Sequence, residues 1–133
     1  MTKKIIAVAG ATGAQGGGLV RSILADPNGE FAVRAITRDP DSPKARALAA
    51  AGAEVVAADI ADRAAVARAF DGAYGAYCVT FFWNHFSPDQ ERAEAHALAD
   101  AAKQAGVQHV VWSTLEDSRR FVKLEDARMP TLM

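Results

Sequence analysis

Gly10, Gly13 and Gly16 recur every third residue after a short apolar run, in the GxxGxxG spacing that lets a main chain hold a diphosphate. Each glycine has a separate task. Gly10 lets the backbone turn sharply off a strand. Gly13, lacking a Cβ, lets a pyrophosphate approach helix-opening N–H groups that have no partners and carry partial positive charge. Gly16 lets that helix lie close against the sheet. Thr12, Ala14 and Gln15 complete the loop. A P-loop requires Lys and then Ser or Thr after its last glycine, whereas Gly16 is followed by Gly17, Gly18 and Leu19, so a Walker site is excluded. Glycine-rich turns also form with no ligand, and the neighbouring residues have to decide between these readings.

The next chemistry-bearing positions follow later apolar runs. Thr37 stands where an acid for a ribose 2′-hydroxyl is usual, and Arg38 comes next. A neutral side chain followed by a guanidinium favours a 2′-phosphate, because Arg presents a planar pair of donors, so NADP is expected ahead of NAD. The competing role of Arg38 is a solvated charge paired with Asp39 or Asp41. Asp59 is placed to accept from an adenine amino group while Ile60 packs on the ring; alternatively, Asp59 or Asp62 caps a helix. Thr80, Phe81, Phe82 and Trp83 offer a hydroxyl and an aromatic wall to a nicotinamide ribose, or else form core or an interface patch. Ser113 and Thr114 would face the nicotinamide. No catalytic set emerges: the Tyr four positions before Lys that donates a proton in short-chain dehydrogenases is absent. His85, His96 and His109 lack metal-ligand spacing and read as structural or surface residues.

Positioning these residues requires alternating strands and helices. The first helix runs from residue 14 to about 25 and stops at the turn Asp26, Pro27, Asn28, Gly29. Residues 31–37 form the second strand. Ser42 and Pro43 open a second helix whose Leu48 and Ala49 face inward, with Gly52 ending it. Residues 54–58 are the third strand, followed by a helix capped at Asp62 and ended by Gly72. Residues 73–80, almost wholly apolar, are a fourth strand covered on both faces. Ser87, Pro88 and Gln90 form a capping box that opens a long alanine-rich helix ending at Gly106, and residues 109–113 are the fifth strand. Such alternation predicts a doubly wound parallel α/β sheet of the Rossmann kind, with strand order 3-2-1-4-5. Residues 1–114 would be the dinucleotide-binding domain and 115–133 a tail, or the start of a second half, with the sixth strand of the complete fold missing.

A chain of 133 residues with 50% apolar and 23% charged side chains fits one globular domain. Its net charge of −1 offers no electrostatic basis for direct nucleic-acid or membrane contact. The single cysteine, Cys78, lies in an apolar stretch, excludes an internal disulfide and suits a buried inert thiol in a cytoplasmic protein.

The strings GATGAQGG (10–17), VRAITRDP (33–40), GAEVVAADIAD (52–62), GAYGAYCVTFFW (72–83) and HVVWSTLED (109–117) resemble the NmrA-like family, atypical members of the short-chain dehydrogenase superfamily. The match is nearest to its HSCARG-type NADP-sensor branch. That resemblance implies NADP(H) binding with regulatory output through protein partners. It assigns Gly10 to Gly16 to the pyrophosphate, Arg38 to the 2′-phosphate, Asp59 and Ile60 to the adenine, and Thr80 to Phe82 to the nicotinamide ribose. The sensor branch carries a second basic residue shortly after its Arg; here Asp41 and Ser42 stand there, and the nearest cation is Lys44. Family members also continue into a second half with a cofactor-contacting Lys, beyond the end of this sequence. A quinone-reductase-like enzyme of the same fold is the alternative. An exposed fifth strand, or a dimer contact along the alanine-rich helix, would promote self-association.

Overall fold

The computed structural model describes residues 2–122 and 125. Five parallel strands, β1 (Lys4–Val8), β2 (Phe31–Thr37), β3 (Glu54–Ala57), β4 (Gly75–Cys78) and β5 (His109–Trp112), form one sheet in the order β3-β2-β1-β4-β5. The central strand is β1, with Ala7 opposite Arg34 of β2 and Ala76 of β4. Four helices cross between the strands: α1 (Ala14–Leu24), α2 (Pro43–Ala50), α3 (Arg63–Phe70) and α4 (Pro88–Gln104). Parallel neighbours need such crossovers, and the expected topology is the one formed.

The helices divide between the two faces of the sheet. On one face Val66 and Phe70 of α3 and Leu98 and Ala101 of α4 pack on Ala7, Ala76 and Cys78. On the other, Val20 of α1 and Leu48 of α2 pack on Val8, Val33 and Ala35. Both faces of β4 are buried, as its unbroken apolar character predicted. Cys78 is fully buried there, and desolvation pushes its thiol up to about 11, the inert group expected.

Several sequence expectations need adjustment. The ladder of β4 ends at Cys78 rather than residue 80, the Cys78 carbonyl accepting from the Ser113 N–H at 2.9 Å, and the Thr80 hydroxyl beyond it donates to the Glu91 carboxylate at 2.7 Å. In α2 the inward residues are Ala45 and Leu48, three apart on one helical face; Ala49 lies about 100° further round and is exposed. The capping box at α4 is half formed. Ser87 Oγ accepts from Gln90 N–H at 3.1 Å, but the Ser87 N–H donates to His85 Nδ1 and the Gln90 side chain to Glu94. One face of the alanine-rich helix α4 is buried within the chain at Ala97, Leu98, Ala101 and Ala102, while Ala93 and Ala99 are exposed. Beyond Trp112 a 3-10 turn spans Ser118–Arg120, and of the tail assigned to 115–133, residues 123, 124 and 126–133 lie outside the described residues.

Candidate functional site

The loop from β1 to α1 carries the first part of the site. Gly10 has φ +61°, and a Cβ added there would lie 2.6 Å from the Phe81 ring, so this sharp turn accepts no side chain. A Cβ on Gly16 would overlap the Gly10 carbonyl. The close approach that Gly16 permits is therefore to the turn itself rather than to the sheet. Gly13 is the N-cap of α1 in extended conformation, and no side chain accepts from the first N–H groups, nor is any first-turn residue acidic. The other three α-helices are each capped by a side chain: Ser42 accepts from Ala45, Asp62 from Ala65 and Ser87 from Gln90. The α1 terminus, with its amides and positive dipole end left open, is thus the fitting cradle for an anion.

A cleft of about 720 Å³ opens from this loop along the carboxyl ends of the strands. Seven predicted residues line it: Gly10, Thr12 and Gly13 at the α1 turn, Arg38 after β2, Asp59 and Ile60 after β3, and Phe81 after β4. Arg38 is exposed and makes no ion pair among the described residues, so Asp39 and Asp41 do not neutralise it. Asp39 instead accepts from the Asp41 N–H at 3.0 Å in a local turn. Lys44 enters the same cleft from the first turn of α2, supplying a second cation that its distance along the chain had discounted. Thr37 is 9% exposed, its hydroxyl accepting from the Asp39 N–H. Asp62, not Asp59, caps α3, while Asp59 Oδ1 accepts from the Ala61 N–H at 2.9 Å. Ile60 is 6% exposed and belongs to the core, leaving little of its side chain for a base to pack on.

Five predicted residues lie outside the cleft lining. Ala14 is exposed at the start of α1, and Gly16 is buried under the turn. Gln15 Oε1 accepts from the Tyr77 hydroxyl at 2.5 Å and the Ser113 hydroxyl at 2.6 Å, tying α1 to the ends of β4 and β5. Thr80 is held by Glu91, and Phe82 packs edge-on against Trp83, His85 and Phe86. In their place the cleft gains Asn84, His85, Gln90 and Glu94, which sequence reasoning missed. One signal was available for Glu94: it falls in the helical stripe completed by Ala97, Leu98, Ala101 and Ala102, a charge where apolar residues recur. Among the described residues no three His, Cys, Asp or Glu side chains converge as metal ligands.

The family model for the NmrA-like family matches residues 2–131. The chain belongs to this family. It is 45% identical over 114 residues to the NmrA-like family domain-containing oxidoreductase FrzB of a Cladobotryum species, covering 83% of this chain and 33% of FrzB. Among solved structures it is similar to NmrA, a negative transcriptional regulator in complex with NAD, at 29% identity and TM-score 0.79, covering 92% of this chain and 37% of that one. It is also similar to the NADPH-dependent quinone oxidoreductase QOR2 of Escherichia coli with NADPH, at 33% identity and TM-score 0.67, covering 83% and 36%. The chain spans about a third of the length of the curated relatives it matches. Family membership and these likenesses agree with the parallel β3-β2-β1-β4-β5 sheet described above. No described helix is long and apolar enough to cross a membrane.

Proposed function

We propose that this chain binds NADP(H) and that its occupancy is relayed to a protein partner, as in a redox-sensing regulator, from a cytoplasmic setting that suits its single buried thiol. The observation that carries the binding is the α1 N-terminus, which alone among the four described α-helices has glycine and no side-chain acceptor at its cap. The pyrophosphate would rest on the amides following Gly13, with Gly10 and Gly16 holding the turn. Arg38 and Lys44 would share the 2′-phosphate, and the adenosine would lie toward Asp59 and Ile60. The reduced nicotinamide, when bound, would be able to supply a hydride; the chain's part would be to fix the dinucleotide across the switch point between β1 and β4.

Calorimetric titration tests this reading. Arg38→Ala is expected to weaken NADPH by about ten-fold or more while changing NADH little, because only the former presents a phosphate to the guanidinium. An equal loss for both nucleotides would refute the assignment.

The oxidoreductase names of relatives up to 45% identical, and the similarity to a quinone reductase, favour a second reading in which the protein reduces an acceptor such as a quinone. Steady-state NADPH oxidation with a panel of quinones separates the two: turnover above background supports the enzyme, and silence across the panel the regulator.

A further inference from the structure

Glu94 is 5% exposed and lines the cleft, although a carboxylate removed from water is costly unless it is compensated. Its compensation is partial. Gln90 Nε2 donates to Oε1 at 3.2 Å, and His85 Nε2 lies 3.4 Å from Oε2. His85 Nδ1 accepts from the Ser87 N–H at 3.0 Å, which places the ring proton on Nε2 and leaves the imidazole neutral in this arrangement. Neither Lys nor Arg among the described residues pairs with Glu94. Two neutral donors leave unfilled acceptor capacity on a carboxylate with about four lone-pair sites. The carboxylate therefore retains capacity for a further N–H or O–H, and it lines the cleft. The loop after β3, with Asp59 and Ile60, lines the same cleft, whereas the cations Arg38 and Lys44 enter it from β2 and α2.

We infer that Glu94 reads the exocyclic amino group of the adenine, making the site selective for a 6-amino over a 6-oxo purine dinucleotide. This rests on the proposed dinucleotide reading and adds base discrimination to it. A 6-oxo base presents a carbonyl where the amino group donates, so it would set two acceptors against each other in a buried site and lose more than a missing contact would. Gln90 and His85 act through Glu94, fixing its carboxylate so that one edge faces the base.

The test is calorimetric titration of the 133-residue chain with NADPH and with its hypoxanthine analogue, which carries a 6-oxo group. The wild type is expected to prefer NADPH by roughly ten-fold or more. Glu94→Gln, which keeps the shape and can offer an amide donor to the 6-oxo group, is expected to abolish or reverse that preference while still binding NADPH; Asp89→Asn, exposed on the same helix and outside the cleft lining, should leave it in place. A wild type that binds both nucleotides alike overturns the inference and leaves dinucleotide binding standing, and needs no variant to fold. A preference unchanged in Glu94→Gln, or lost in Asp89→Asn alone, overturns it equally. A chain that binds neither nucleotide removes the underlying reading as well.

Discussion

At the scale of single residues, the consecutive glycines of α1 have unequal roles that their spacing does not reveal. A Cβ at Gly16 would meet the backbone of Gly10 and Ala11, which cannot move without undoing the turn, whereas a Cβ at Gly18 would meet nothing within 4 Å. Gly16→Ala is therefore expected to destabilise the fold by about 1–3 kcal/mol through overpacking and to weaken nucleotide binding with it. Gly18→Ala should stabilise by up to about 1 kcal/mol, since alanine loses less backbone freedom in a helix interior. Thermal melting of both variants checks the pair; a loss of similar size in each would show that helix propensity, not the contact under the turn, sets the requirement. Both glycines belong to one run in the sequence, and only the contact under the turn tells them apart.

Among elements, the least legible link is the one that Arg34 makes between β2 and α3. Arg34 Nη1 donates to the Ala69 carbonyl at 2.9 Å and the Asp71 carbonyl at 2.6 Å, closing the C-terminus of α3, while Nε meets Glu54 at 2.8 Å. A guanidinium at that end complements the negative pole of the helix and satisfies carbonyls that have no partner within it. Its side chain is 12% exposed, whereas Glu54 is 53% exposed, so the carbonyl bonds outweigh the ion pair. Arg34→Met, which retains the apolar stem, is expected to cost about 2 kcal/mol in urea unfolding with an unchanged slope. Glu54→Gln should cost well under 1 kcal/mol by the same measurement. From the sequence Arg34 reads as an ordinary polar position in a strand, because the carbonyls it serves are contributed by residues 35 and 37 positions further on.

At the scale of the whole molecule the sheet, among the described residues, is buried at its centre and open at β5, where Val110, Val111 and Trp112 are 40%, 48% and 38% exposed. An uncovered apolar edge strand offers unpaired N–H and C=O groups together with a sticky face. The 133-residue chain is accordingly expected to self-associate with rising concentration in sedimentation velocity, and Val111→Lys to shift it toward monomer; a wild type monomeric at every concentration would dismiss the idea. Much of this architecture was readable in advance. Strand and helix order, the 3-2-1-4-5 topology and the tight glycine turn are carried by local patterns, namely apolar periodicity, Ser and Asp caps and the glycine triplet, and such patterns act over a few residues at a time. Which side chains join or leave the cleft beside the seven predicted from the sequence was decided only by folding. Lys44 joined Arg38, Gln15 was drawn to Tyr77 and Ser113, Thr80 to Glu91, and Glu94 entered beside His85, because each of these outcomes depends on where separate elements come to rest against one another. Local spacing carries no record of that approach.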